Sequence, residues 1–178
     1  LFNAAYLTKY LEPEFETLLI GGPHDPSEGS SLHITESLGL QPMIIEEMRR
    51  TPDPLKDIKA YRKIRKIIRE FKPDIVHTHA SKAGALGRLA AHHEKVPVIV
   101  HTFHGNVLKG YFGKTKTAFY KGLERKLAKY STAIVAISEL QKKELSEEHR
   151  ICVPEKIHTI PLGFDLSRLT KTVKKKER

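Results

Sequence analysis

The stretch Lys72-Pro73-Asp74-Ile75-Val76-His77-Thr78-His79-Ala80-Ser81-Lys82-Ala83-Gly84 limits what this chain can fold into. It reads as a helix end, a short buried strand, a tight turn and a new helix start. Pro73 closes the preceding helix and biases Lys72 away from the α region. Ile75-Val76 opens the strand, and Ser81 has the side chain of a helix N-cap. His77, His79 and Ser81 therefore fall at or just beyond the carboxyl end of a strand. That edge is where open α/β sheets bind ligands.

The flanking segments repeat the same alternation. Residues 4–11 read as a helix with Ala4, Leu7 and Leu11 on one stripe, and Thr17–Ile20 as a short buried strand stopped by Gly21-Gly22-Pro23. A loop follows over 23–31, then a short helix across Leu32–Leu38 and a strand over 42–45. From Pro54 to Phe71, Leu55, Ile58, Tyr61, Ile64, Ile68 and Phe71 recur three or four apart, the spacing of one apolar helix face. Helix 83–93 is rich in small residues and can pack close to a sheet. Val96–Phe103 is continuous and β-branched, as suits a strand covered on both faces.

A loop over 104–113 carries exposed-looking Tyr111 and Phe112. A basic helix over 115–130 turns Phe119, Leu123 and Leu127 inward. Thr132–Ile137 is a strand, Ser138-Glu139-Leu140-Gln141 matches a capping box, and Lys156–Ile160 is the last strand. Strands alternating with helices at this spacing imply a parallel sheet with right-handed crossovers. The expected class is α/β: a Rossmann-like open parallel sheet with helices on both faces. It occupies residues 1–169, with 170–178 as a basic linker or tail.

Charge and cysteine content narrow the function. The 178 residues carry a net charge of +10, so anionic partners are favoured: phosphorylated ligands, anionic lipid or nucleic acid. Aromatic residues are not interleaved with the basic ones as base-stacking platforms require, which argues against nucleic acid. One cysteine, Cys152, excludes an internal disulfide and a Cys-based zinc cluster, and suits a reducing cytoplasmic setting. No apolar run approaches a bilayer span, and Leu1–Leu7 lacks the basic start and apolar centre of a secretory leader.

His77 and His79 lie two apart on a strand and share a face. They could begin a metal site, but no third ligand with suitable spacing is evident, and hydrogen-bonding or structural roles outweigh that reading. His101 and His104 point oppositely. His104, at the strand end before Gly105, can reach a ligand, whereas His101 faces the helix layer. Ser81-Lys82-Ala83-Gly84 offers helix-start N–H groups and a lysine, an arrangement that favours anions. No Walker A loop, Gly-x-Ser-x-Gly elbow or HExxH occurs, and Gly21-Gly22 lacks the third glycine of the dinucleotide fingerprint.

Several stretches together resemble the amino-terminal lobe of a retaining glycosyltransferase of the two-lobed GT-B fold, family-four type. They are Lys72–His79, Ser81–Ala91, Thr102-Phe103-His104-Gly105, Gly110-Tyr111-Phe112, Glu124–Ala128, Ile137-Ser138 and Ile160–Asp165. The resemblance runs from about residue 4 to 169. Such lobes begin with a strand and a glycine-rich loop, whereas this chain opens at the first helix. Strands 17–20 and 74–79 are therefore expected to show unpaired edges. The second lobe, with its paired glutamates, lies outside this sequence, and Asn106 stands where the family often has histidine.

The resemblance implies transfer of a hexose-type sugar from a nucleotide sugar, UDP-sugar first, with retention and no obligatory metal. His104 matches the catalytic histidine near the transferred sugar. His79, Ser81, Lys82, Gly84, Gly105 and Ser138 are implied as substrate-binding. The acceptor would be a sugar or a lipid-linked sugar, in bacterial cell-surface polysaccharide or glycolipid synthesis. The protein would be cytoplasmic or peripheral on the inner face of the plasma membrane. The alternatives are a nucleotide-sugar epimerase or hydrolase of the same fold, and a non-catalytic anion- or nucleic-acid-binding module.

Overall fold

A computed structural model describes residues 2–24, 32–105 and 113–163. In chain order the elements are α1 (Phe2–Leu11), β1 (Ile20–Gly21), α2 (Leu32–Ser37), β2 (Met43–Ile44), α3 (Pro54–Phe71) and β3 (Ile75–His79). They continue with α4 (Ser81–His93), β4 (Val98–Phe103), α5 (Lys114–Tyr130), β5 (Ala133–Ala136), α6 (Glu139–Lys143) and β6 (Ile157–Thr159). The expected loop residues Tyr111 and Phe112 lie outside the described residues.

The strands form two parallel sheets, β1–β2 and β3–β4–β5–β6. Among the described residues β1 pairs only with β2 and β3 only with β4, so each keeps an unpaired edge. The ladder at β1 is shorter than the expected Thr17–Ile20 strand, covering only Ile20 and Gly21.

Helix α3 has the expected limits because both ends carry chemical stops. Asp53 caps it, accepting from the Lys56 N–H at 3.1 Å, and Pro54 fits the first turn, where its missing donor costs nothing. At the far end Lys72 turns left-handed with φ 51, and Pro73 cannot continue the helix. Its apolar stripe is only partly used. Ala60, Ile64 and Ile68 are buried, but Leu55 is 76% exposed and Ile58 49%.

Helix α4 lies hard against the sheet. A Cβ on Gly84 would stand 2.4 Å from the His101 ring, and one on Gly87 2.8 Å from the Thr78 methyl. Only hydrogen at these positions permits this approach. Its entry differs from expectation. Ala80, not Ser81, holds the N-cap position, with φ 61 and ψ 166 and no side-chain cap bond. Ser81 is the first helical residue. An L-residue in this region of backbone space stores strain of about 1–3 kcal/mol.

Two apolar clusters fill the interior. One joins α3 and α4 to Ile45, Met48, Val96 and Ile99; the other joins Phe103, Ala128, Ile134, Ala136, Leu145, Ile151 and Ile157. Phe119, expected inward, is instead 67% exposed on α5, while Leu127 is buried at 2%. Between α4 and α5 the guanidinium of Arg88 is fully buried. It donates to the Gly84 carbonyl at 3.0 Å and to Glu124 Oε2 at 2.8 Å. The Ser138 capping box forms in a displaced version: Ser138 accepts from the Gln141 N–H, and Gln141 accepts from the Ile137 N–H.

Candidate functional site

Because side chains alternate along a strand, β3 sends Thr78 to one face and His77 and His79 to the other. Parallel register sets His79 beside Thr102 and Thr102 beside Val135. These residues share the face turned away from α4. Helix α1 crosses in front of it with Asn3, Tyr6, Leu7 and Tyr10, and the segment Ile160–Gly163 closes another side. Between them lies a cavity of about 580 Å³.

Imidazoles form its polar wall. His77 Nε2 is 2.7 Å from Thr102 Oγ1, and His79 Nδ1 is 2.9 Å from His104 Nε2. The rings of His77 and His79 are 4.3 Å apart and those of His79 and His104 5.1 Å apart. Burial withdraws water from the charged form, and each ring repels charge on its neighbours. Burial, then the nearby His104, pushes the pKa of His77 down to about 4. Burial, then His77 and His104, pushes that of His79 down to about 3. His104 is exposed at the rim, yet the wall behind it strips enough water to lower its pKa too. Near neutral pH this wall is uncharged and can exchange hydrogen bonds with hydroxyl or phosphate oxygens. Among the described residues no group of three or more His, Cys, Asp or Glu side chains is arranged to hold a metal ion.

The residues singled out from sequence fall in several places. His79 and His104 meet at the cavity, with Gly105 exposed directly after His104. Lys82 is turned onto α3, where it meets Asp57 and donates to the Thr51 carbonyl at 2.6 Å. Gly84 is buried beneath His101, and its N–H is bonded to the Ala80 carbonyl. Ser81 is exposed at the start of α4, and Ser138 is occupied in capping α6. His101 faces α4 as expected, 2% exposed and 2.9 Å from Thr78 Oγ1.

Asn3, Tyr6 and Tyr10 also line the site, though no sequence pattern singled them out, and Thr102 of the Thr102–Gly105 stretch lines it with them. The i, i+4 spacing of the two tyrosines was the available signal. The hydrogen bond between Thr102 and His77 depends on the β3–β4 pairing.

The sequence and the fold both have known relatives. The family model described as Glycosyltransferase Family 4 matches residues 6–168. A UDP-Gal:alpha-D-GlcNAc-diphosphoundecaprenol alpha-1,3-galactosyltransferase of Escherichia coli is 37% identical over 121 residues. That match covers 68% of this chain and 31% of the E. coli protein, so the chain spans under a third of that relative's length.

Two solved structures share the fold. A UDP-GlcNAc 2-epimerase from Neisseria meningitidis bound to UDP-GlcNAc has TM-score 0.68 and 16% identity, over 99% of this chain and 48% of the epimerase. A glycosyltransferase from Rickettsia africae has TM-score 0.62 and 20% identity, over 99% and 45% respectively.

Proposed function

Since the chain belongs to glycosyltransferase family 4, we propose that it forms the acceptor-side lobe of an enzyme that moves a hexose from a nucleotide sugar to an acceptor. The observation carrying this reading is the position of His104. It stands at the carboxyl end of β4, on the cavity rim, with its ring held by His79. There an imidazole can hydrogen-bond the oxygens of a sugar as the donor bond breaks, the kind of positioned contact that favours a transition state.

The donor nucleotide, UDP first, would lie against a second lobe, with retained anomeric configuration and no obligatory metal. A nucleotide-sugar epimerase would need acidic groups in the cleft, and the described residues lining this cavity include no carboxylate. In the complete transferase, His104→Ala should lower turnover about a hundredfold, the loss typical of one such contact, and leave nucleotide affinity nearly unchanged. Wild-type turnover in that variant overturns the reading.

A lipid-linked acceptor, as in the E. coli relative's name, would place the enzyme on the cytoplasmic face of a bacterial membrane. No described helix is long and apolar enough to cross a membrane. The exposed Leu55, Ile58 and Phe119 support surface attachment, since they stand among the lysines and arginines of α3 and α5. Each basic residue near anionic lipid contributes about 1 kcal/mol. Co-sedimentation with anionic vesicles that salt weakens, and that a Leu55→Ser, Phe119→Ser variant reduces, is the expected result. Equal recovery from anionic and neutral vesicles counts against attachment.

A further inference from the structure

We propose that His79 is a positioning residue: its Nδ1–H donates to Nε2 of His104, fixing the His104 ring and leaving its Nδ1–H as the donor offered to a ligand oxygen. The inference rests on the reading of His104 given above and adds which nitrogen acts and what holds it.

The assignment follows from counting partners. The two rings meet through His79 Nδ1 and His104 Nε2 at 2.9 Å, and one proton serves that contact. Neutral imidazole has a single N–H, so the nitrogen that donates decides both tautomers. Among the described residues, His79 Nε2 has no protein partner. If His79 accepted, its own proton would sit on that nitrogen, in the part-buried wall, as an N–H without a protein acceptor. If His79 donates, the outward N–H falls instead on His104, the more exposed of the two rings, where solvent or a ligand can accept from it. His104 Nε2 then accepts, and the His104 proton must reside on Nδ1.

His79 itself cannot swing freely. Its backbone pairs with β4, its ring lies 4.3 Å from that of His77 at a tilt of 36°, and His77 is held by Thr102 at 2.7 Å. The depressed pKa of His79 agrees with a neutral ring near pH 7. A chain Thr102–His77–His79–His104 thus carries the rigidity of the sheet out to an exposed side chain on a strand end. An orienting partner of this sort sets the tautomer of a histidine that does chemistry.

Long-range proton–nitrogen spectra of the histidine rings in the 15N-labelled chain test this directly. His79 and His104 are both expected as Nδ1–H tautomers. His79→Ala should convert His104 to the averaged signals of a free imidazole, and His79→Asn, whose amide can reach the Nδ1 position, should restore one tautomer. If His79→Ala abolishes folding, seen as lost amide dispersion, His104→Ala reads the same bond from the other ring and must shift the His79 nitrogens. His104 found as Nε2–H, or ring signals indifferent to both substitutions, overturns the proposal.

In the complete transferase, His79→Ala should cut turnover at least tenfold, His79→Asn should recover most of it, and His79→Ala should add little in a His104→Ala background. Normal turnover of His104→Ala removes the catalytic reading while the ring spectra still report the bond. Uncoupled rings with an inactive His104→Ala remove the positioning role alone.

Discussion

The two faces of the β3–β6 sheet use the same residue type to opposite ends. On the face beneath α4, His101 is 2% exposed, paired with Thr78, and pressed by Gly84 at a distance that leaves no room for a methyl group. On the other face His77 and His79 border a cavity, and their ring chain ends at an exposed His104. Both environments keep imidazole neutral, the first by enclosure and the second by partial burial beside other rings. A depressed histidine pKa therefore does not by itself mark a site. Open space beside the ring does.

Breaking the closed face should have the largest effect. Arg88→Met leaves Glu124 without its buried partner and should cost about 3–5 kcal/mol in urea unfolding. Adding Glu124→Leu should recover most of the loss, because the uncompensated charge is gone. A small cost for Arg88→Met alone would show that the pair is better hydrated than its burial indicates.

Gly84→Ala probes the same face by volume. Its Cβ meets a buried ring, so overpacking of about 1–3 kcal/mol is expected. Calorimetry of Gly84→Ala beside Gly122→Ala, where a Cβ meets nothing within 4 Å, isolates the effect. Equal midpoints for the two would refute the close packing of α4.

Acid should act on the open face. The unfolded chain binds protons at His77 and His79 near the ordinary histidine value of about 6.5. The folded chain resists them until about 4 and about 3. Between those limits the unfolded state holds more protons, so the stability from neutral rings is complete above pH 6.5 and is lost as pH falls toward 4 and then 3. His79→Asn should flatten that slope in unfolding midpoints measured from pH 7 to 4. An unchanged slope would mean that the ring is hydrated when folded.

The smallest change lies at the hinge between the faces. Ala80→Gly relieves the positive φ between β3 and α4 and should raise stability by about 1 kcal/mol, net of the extra freedom of the unfolded glycine. A lower denaturation midpoint for Ala80→Gly contradicts the strain.

Much of this was legible in the sequence where local chemistry decides. Pro54 and Pro73 bracket α3, and the two-residue spacing of His77 and His79 puts both on one face. What was hidden depends on the assembled molecule. Ser81 has the better capping side chain, but the approach of α4 to the sheet puts Ala80 in the cap position. Lys82 stands at a helix start suited to anions, yet Asp57 of α3 engages it. A helical stripe tells which side of a helix faces inward but not where the neighbouring layer stops, hence the exposure of Leu55 and Phe119. The meeting of His79 with His104 requires the β3–β4 register, which no single segment encodes.

All the described strand pairings are parallel, and this shapes how the molecule comes together as well as what it holds. Parallel neighbours cannot be joined by a hairpin, so each ladder waits for an intervening crossover to close. Loop closure precedes any reward from pairing, which slows assembly relative to a locally connected fold. Helix α4 bridges β3 and β4, so that ladder can close only across the crossover that contains it. The rings of His79 and His104 become neighbours only once that ladder has closed.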